Sequence, residues 1–342
     1  MSGTLLIWGA GAIGGTIGAT LVRAGQDVLF VDSAADHVAA MQQDGLAIEG
    51  PIEQFAVPVR AATPEQVEGQ YDRILLCVKA HHTADAARAL LPHLSKAGYV
   101  ASFQNGLNEP VIGAVTGMDR VVGAFVNFGA DYLAPGRILY GGRGACVVGE
   151  MDGRASERLT ALRQTLLPFE PEAMTTGDIQ GYLWGKLAYG ALLFATAITD
   201  DAIADILASS DYRAVLLAVG REAMAVALAQ DVQPRGFNGF DPAAFAPGGD
   251  AKAIDASFDE MVAFNRRSAK SHSGIWRDLA IRHRRTEVDA QLGPVVAGGA
   301  ACGIETPITA RLVTLIHEIE RRERRLHRTN LAALLPADRQ AR

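Results

Sequence analysis

Three glycines spaced Gly9-x-Gly11-x-x-Gly14 stand between an apolar run, Thr4–Trp8, and a stretch of small and aliphatic residues from Ile13 to Ala24. That order suits a strand, a tight turn and a helix whose first turn carries almost no side chains. Gly9 permits the turn, Gly11 lets a ligand approach the backbone, and Gly14 lets the helix lie close on the strand. The free N–H groups at the helix start, together with its dipole, favour an anion. The spacing therefore predicts a Rossmann-type dinucleotide site, with Gly9, Gly11, Ala12, Ile13 and Gly14 around a pyrophosphate. Asp32 closes the next apolar run, DVLFVD, roughly 20 residues after the glycines, where a carboxylate accepts ribose hydroxyls and repels a 2′-phosphate. Ser33, Ala34 and Ala35 follow it, with no arginine, so the expected cofactor is NAD in preference to NADP. The competing reading of Asp32 is an acidic residue that merely opens the next turn.

Bulk properties narrow the class. A chain of 342 residues suggests two domains. A hydrophobic share of 49% against 20% charged supplies ample core. The net charge of -6 argues against a nucleic-acid partner. Cys77, Cys146 and Cys302 are widely spaced and odd in number, which points to neither a disulfide framework nor a metal site, and to a reducing cytoplasm. The N-terminal apolar run lacks the basic flank of a secretory signal. Leu187–Thr199 falls short of the roughly 20 residues that span a bilayer, so no membrane segment is expected.

The first half alternates strand-like runs (Thr4–Trp8, Asp27–Val31, Arg73–Val78, Tyr99–Phe103, Val121–Phe125) with helical stretches, the pattern of a parallel sheet covered by helices. Two β-like runs within Gly129–Glu150 read as antiparallel strands finishing that domain. From Asp178 onward the periodicity is helical, over Asp178–Ala197, Asp211–Ala229, Ala251–Phe264 and Thr306–Arg325. We expect an α/β dinucleotide-binding domain over 1–173 and an all-α domain over 174–342. The Pro/Gly-rich interruption Val232–Asp250 reads equally as a lid over a site or as a disordered surface excursion. The basic stretch Glu318–Arg328 reads as a solvated helix end, and Leu331, Leu334 and Leu335 as a contact through which a homodimer could form.

Five motifs then occur in an order that resembles the ketopantoate reductase family: GAGAIGG at the start, Cys77-Val-Lys79, Gln104-Asn105-Gly106, Leu183-Trp-Gly-Lys186-Leu, and Thr286-Glu287-Val-Asp289. Gly141–Glu150 and Gly303-Ile-Glu-Thr-Pro307 fit as well, so the resemblance spans nearly the whole chain. It implies a Rossmann domain joined to a helical domain of the 6-phosphogluconate-dehydrogenase-like type, with the active site in the cleft between them. It further implies a small 2-oxo or 2-hydroxy acid substrate and hydride transfer with a nicotinamide cofactor.

Lys186 is the only charge in a long apolar stretch from Gly181 to Thr199. By pattern alone it is either a general acid or a lysine snorkelling from the core rim. The resemblance makes it the acid that protonates the nascent alkoxide, with Glu287 orienting it and touching the substrate hydroxyl. Desolvation favours the neutral amine and a neighbouring carboxylate favours the ammonium, so the two influences oppose each other. Arg282, Arg284 and Arg285 crowd the same segment and offer Glu287 an alternative life in a surface charge pair. Asn105 would serve nicotinamide and substrate together, and Lys79 would contact cofactor phosphate or ribose. Their alternatives are a plain Asn-Gly turn and an exposed strand-end lysine. Ser273 lies near the position that binds the substrate carboxylate, and His272 is either an added ligand or an exposed loop histidine.

The chain also departs from the family. Where asparagines commonly follow the catalytic lysine by one and two helical turns, it carries Gly190 and Phe194. The segment between Asp278 and Thr286 is one residue longer than usual, and the family's paired serines become Ser273-Gly274. A less polar substrate pocket is expected, on a 2-oxo acid reductase not tied to ketopantoate. The alternatives are a catabolic NAD-dependent dehydrogenase of a sugar acid or another hydroxy acid, and a dinucleotide sensor without chemistry.

Overall fold

The computed structural model describes residues 3–267 and 271–335. The chain divides into two compact units, Met1–Ile179 and Gln180–Arg342.

The first unit runs β1 (Leu5–Trp8), α1 (Ala12–Arg23), β2 (Val28–Val31), α2 (Ala35–Asp44), β3 (Leu46–Glu49), β4 (Phe55–Val57), β5 (Arg60–Ala62), β6 (Tyr71–Leu76), α3 (Thr83–Leu90), β7 (Leu94–Ser102), α4 (Glu109–Thr116), β8 (Val121–Val126), β9 (Gly129–Ala134), β10 (Arg137–Gly142), β11 (Cys146–Glu150), α5 (Glu157–Leu166) and β12 (Met174–Thr175). Eight strands form one sheet in the order β12-β11-β8-β7-β6-β1-β2-β5. It is parallel from β5 to β8, while β11 turns antiparallel against β8. Strands β1, β2 and β8 are apolar along their length because both faces are buried, and alternate residues serve opposite sides. Leu5 and Ile7 pack with Ile17 and Leu21 of α1, whereas Leu6 and Trp8 pack with Ala86 and Leu90 of α3 and Ile112 of α4.

The expected antiparallel strands near Gly129–Glu150 are present, and they divide between two sheets. β11 joins the main sheet. β9 and β10 join β3 and β4 in a separate four-stranded sheet, order β4-β3-β10-β9. Ile48, Ile138 and Tyr140 of this small sheet share the core of α1 and α2. Short strands with one polar face gave little periodic signal, so their pairing with residues some 90 positions away was invisible locally.

The second unit is helical: α6 (Ile179–Ala197), α7 (Ile203–Ala208), α8 (Ser210–Ala229), α9 (Pro242–Phe245), α10 (Ala251–Arg267), α11 (Gly274–Ala280), α12 (Val288–Gln291), α13 (Gly293–Cys302), α14 (Pro307–Glu320) and α15 (Thr329–Ala332). The segment 232–250 is a packed part of the helical unit and not a disordered excursion. Phe240 and Phe245 are buried in the core, and rings follow one another from Tyr189 through Phe240 and Phe245 to Phe258 at centroid spacings of 5.9, 4.9 and 5.5 Å. Its prolines and glycines shape a packed connection; an added Cβ on Gly239 would lie 2.5 Å from the backbone of α10.

Two C-terminal expectations change. The helix ends at Glu320 rather than Arg325, because Arg322 takes a left-handed φ of 61°. Leu331 and Leu334 are 0% and 3% exposed, so they are spent on this chain's own core and are not open to a second copy. Among the described residues no helix is long and apolar enough to cross a membrane.

Gly18 of α1 faces Phe30 so closely that a Cβ would sit 2.3 Å from the ring. Gly18→Ala should therefore lower the urea midpoint of the first unit's unfolding, by an overpacking cost of about 1–3 kcal/mol. A wild-type midpoint would show that the ring has room to move.

Candidate active site

The chain passes from β1 to β2 on one side and later to β6 on the other, so strand order reverses beside β1. In open α/β sheets, ligands bind outside the carboxyl ends of the strands at such a point. Four predicted positions follow neighbouring parallel strands there: Asp32 after β2, Gly9 after β1, Lys79 after β6 and Asn105 after β7.

The glycines divide the work. Gly9 has φ of 103°, and a Cβ on it would lie 2.7 Å from the Val78 amide nitrogen. A Cβ on Gly14 would lie 2.1 Å from the Gly9 carbonyl oxygen. These two are required by the packing of α1, β1 and the end of β6. Nothing lies within 4 Å of a Cβ on Gly11, which stands at the start of α1 with no side chain capping the helix. Ala12 and Ile13 form the first turn. An open backbone approach leading to uncapped N–H groups fits the pyrophosphate of a dinucleotide.

The peptide of Ala10, between the glycines, is held at both ends. Its N–H donates to Asp32 Oδ2 at 2.9 Å, and its carbonyl accepts from His37 Nε2 at 3.0 Å. The Gly136 amide donates to His37 Nδ1 at 2.9 Å, so the Nε2–H tautomer is the one that satisfies both contacts. Sequence gave no hint of His37, a lone histidine in a polar helix. Asp32 thus does more than open a turn: its second oxygen accepts from the Ala34 N–H at 3.0 Å.

Asn105 is half-buried in the turn after β7, where Asn108 Nδ2 donates to its carbonyl at 2.7 Å and Gly106 takes φ of 91°. Gln104 anchors this turn to the end of β6, donating to the Val78 carbonyl at 2.9 Å and the Thr83 hydroxyl at 2.8 Å. Lys79 is exposed. Desolvation pushes the neighbouring Cys77 thiol up, which keeps it a protonated packing group.

In the second unit Lys186 lies half-buried on α6, between buried Gly185 and Leu187. The adjoining face of α6 is covered by the 232–250 segment. The Arg235 N–H donates to the Gly181 carbonyl at 2.8 Å, and a Cβ on Gly185 would lie 2.0 Å from the Arg235 carbonyl oxygen. Tyr189, one turn on, meets Phe237 edge-on at 5.3 Å. Gly190, one turn beyond Lys186, instead faces Gln291 Oε1, 3.6 Å from an ideal Cβ. This sets the segment 287–291 against the face of α6 that carries Lys186 and Gly190. Phe194 is 0% exposed, which corrects the expectation that its ring meets substrate. It is core beneath that face.

Glu287 is 8% exposed and so is no surface charge. In the same segment Arg282 and Arg284 bond Asp278 at 3.2 and 2.9 Å, and Arg285 bonds Asp289 at 2.8 Å. The turn bearing Glu287 is tied to α14. Glu320 Oε1 accepts from both the amide and the hydroxyl of Thr286 at 2.7 Å. His317 donates through Nδ1 to Glu320 and through Nε2 to Asp289, each at 2.9 Å. Ser273 caps α11, its hydroxyl oxygen accepting from the Trp276 N–H at 3.2 Å. His272 is half-buried and lies against Trp276 at 4.1 Å, not exposed as a loop histidine would be.

A hollow of about 490 Å³ lined by Arg221, Glu222 and Glu305 contains none of these residues. Among the described residues no group of three His, Cys, Asp or Glu side chains converges to hold a metal.

Comparison with known proteins bears on this arrangement. Residues 5–153 match the family model of ketopantoate reductase PanE/ApbA, and residues 178–320 match its C-terminal model. The chain belongs to the ketopantoate reductase family. The 2-dehydropantoate 2-reductase of Archaeoglobus fulgidus is 29% identical over 316 residues, covering 92% of this chain and 97% of that one. The enzyme of the same name from Mesorhizobium japonicum is 31% identical over 245 residues, 65% and 75% of the two chains. A ketopantoate reductase family structure from Ralstonia eutropha superposes with TM-score 0.79 at 28% identity, covering 94% and 99%. D-mandelate dehydrogenase with NADH and anilino(oxo)acetate shares the fold, with TM-score 0.80 at 21% identity over 94% and 99%. Family membership makes the chain a ketopantoate-reductase-like, NAD(P)-dependent oxidoreductase.

Both ring nitrogens of His317 face carboxylate oxygens, an arrangement only the imidazolium satisfies. Partial burial opposes that charge, but the hydrogen bonds and charges of Glu320 and Asp289 outweigh it and raise the pKa above 6.5. A raised folded-state value contributes stability in full below the unfolded pKa, and the contribution fades as pH rises through the folded value. The second unit should therefore lose thermal stability as pH climbs from 6 past that value. His317→Ala should cost about 1–3 kcal/mol at pH 6 and remove most of this pH dependence. A variant that keeps the wild-type slope would show that other groups produce it.

Proposed function

We propose that the protein is an NAD-preferring 2-oxo acid reductase and 2-hydroxy acid dehydrogenase, with Lys186 as general acid and base. The observation that carries the reading is the placement of Lys186, the one charge in α6, half-buried beside a face that stays open at Gly190 and is bordered by the 287–291 segment. The nicotinamide, when bound, supplies or accepts the hydride. Gly9, Gly11, Ala12, Ile13 and Gly14 would hold its pyrophosphate, Asp32 would accept from the ribose hydroxyls, and Lys79 would contact phosphate or ribose. Asn105 would serve nicotinamide and substrate together.

During reduction the Lys186 ammonium gives its proton to the 2-oxo oxygen as that oxygen becomes a hydroxyl; in oxidation the neutral amine takes the proton back. Glu287 accepts a hydrogen bond from the lysine and from the substrate hydroxyl, fixing the direction of transfer. The Ser273 hydroxyl oxygen already accepts from the Trp276 N–H, which leaves its own proton for the substrate carboxylate. His272 lines the same turn.

The preference for NAD rests on the carboxylate of Asp32, held by two backbone N–H groups and followed by no cation. A 2′-phosphate placed there meets a like charge.

Following cofactor absorbance with purified protein against a panel of 2-oxo acids tests both parts. NADH should be used with at least a tenfold higher kcat/KM than NADPH. Lys186→Ala should lower kcat by about 10²–10⁴-fold while NADH affinity, read by fluorescence titration, stays unchanged. Undiminished turnover in that variant would remove Lys186 from the chemistry, and a preference for NADPH would overturn the role of Asp32.

A further inference from the structure

Two turns at the carboxyl ends of neighbouring strands carry candidate cofactor residues, Lys79 after β6 and Asn105 after β7. Neither turn lies in the sheet, and a loop moves on its own unless other groups tie it down. Here one hydroxyl does so. Thr83, the first residue of α3, is 2% exposed, and its Oγ1 accepts from Gln104 Nε2 at 2.8 Å. The same oxygen lies 2.7 Å from the Ala80 carbonyl oxygen and 3.0 Å from Asn108 Oδ1. A threonine hydroxyl has one proton, so these two acceptors share it. The first acceptor belongs to the turn that follows Lys79, the second to the residue that precedes α4.

The orientation of Asn108 follows from its other end. Its Nδ2 donates to the Asn105 carbonyl at 2.7 Å, which turns Oδ1 toward Thr83. Contacts thus run from the Ala80 carbonyl through Thr83 and Asn108 to the backbone of Asn105 itself. Gln104 and Asn108 are each 4% exposed, so this path is buried along its length. Gln104 donates both amide protons here, to the Val78 carbonyl and to Thr83, while its Oε1 accepts from nothing among the described residues. A buried acceptor without a donor is destabilising, and an apolar residue of the same shape would avoid it. A local rule broken at this cost marks a place where position matters more than stability.

We propose that Thr83 is a positioning residue for hydride transfer. Its hydroxyl locks the Asn105 turn to the Lys79 turn, so that Asn105 meets the nicotinamide and the 2-oxo acid in one fixed place. Buried as it is, Thr83 acts through Asn105 and not on the reacting atoms. This role rests on the 2-oxo acid reading above and on the place it gives Asn105.

Thr83→Val keeps the volume and branching of the side chain and removes the hydroxyl alone. The test mixes the enzyme–NADH complex, in stopped flow, with saturating amounts of the 2-oxo acid that the wild type reduces fastest. Repeating it with NADH deuterated at the transferred hydrogen identifies the hydride step by its isotope effect. Thr83→Val should lower that rate constant about tenfold or more, while the stoichiometry of NADH binding, read by fluorescence titration, stays that of the wild type. Thr83→Ser returns the hydroxyl and should restore most of the rate. Asn108→Asp keeps the shape and a good residue before α4 but sets a carboxylate oxygen against the Asn105 carbonyl, and should slow the same step. Combining it with Thr83→Val should add little, because both changes cut one path. An unchanged rate constant in Thr83→Val, or equal slowing in Thr83→Val and Thr83→Ser, would overturn the role and leave the reductase reading intact. So would a loss confined to melting temperature or to the fraction of chains that bind NADH. Should Thr83→Val not fold, Asn108→Asp decides alone, and a wild-type rate constant there overturns the role. Wild-type protein that binds NADH but reduces no 2-oxo acid would overturn both.

Discussion

A missing side chain at Gly14 lets α1 rest against the Gly9 carbonyl, at a distance where no Cβ could stand. The rest of the first unit is arranged around that approach. It aims the uncapped start of α1 outward past Gly11, and it presses Gly9 against the end of β6. The Ala10 peptide between them is then locked by Asp32 from one side and His37 from the other. Because His37 also accepts from Gly136 in the turn between β9 and β10, the small second sheet supports the loop it never touches through backbone pairing. A dinucleotide site of this kind is a rigid backbone surface, and its rigidity comes from these side contacts more than from the glycines themselves.

The helical unit solves a different problem. Its site must place a charged lysine on a helix that is otherwise core. α6 does this by giving each face a different neighbour. One face takes the 232–250 segment at Gly181, Gly185 and Tyr189, while the stripe that carries Lys186 and Gly190 meets Gln291 and becomes core one turn further on, at Phe194. Successive residues on a helix are turned by about 100°, so a glycine beside the lysine admits close packing without covering the lysine itself. The turn carrying Glu287 is fixed from behind by Glu320 and by the imidazolium of His317, a cluster of charges in which each group has a partner.

Much of this was legible in the residues. The glycine spacing, the end of β2 at Asp32 and the family motifs at Lys79, Asn105, Lys186 and Glu287 are local patterns, and local patterns survive without a fold. What escaped were residues whose role depends on distant partners. His37, Thr83, His317 and Glu320 carry no motif, and each becomes meaningful only against an atom tens to a hundred positions away. The same reason explains the misread segments. Proline and glycine at 232–250 look like a loose loop until Phe240 and Phe245 are seen in the core, and Leu331 and Leu334 look like an exposed contact until their burial is known.

The sequence by itself determined the central strand–helix alternation of the first half, the helical character of the second, and the chemical types available for hydride-transfer chemistry. It did so because periodicity, turn chemistry and the absence of side chains at Gly9, Gly11 and Gly14 act over a few residues. Only the tertiary structure decided which faces stay open. Whether Gly190 is a gap or a packing contact, whether Phe194 meets ligand or core, and whether the Thr83 hydroxyl ties two turns together all depend on what another segment places opposite. Burial and hydrogen-bond satisfaction are properties of the assembled neighbours, and no single stretch of chain contains them.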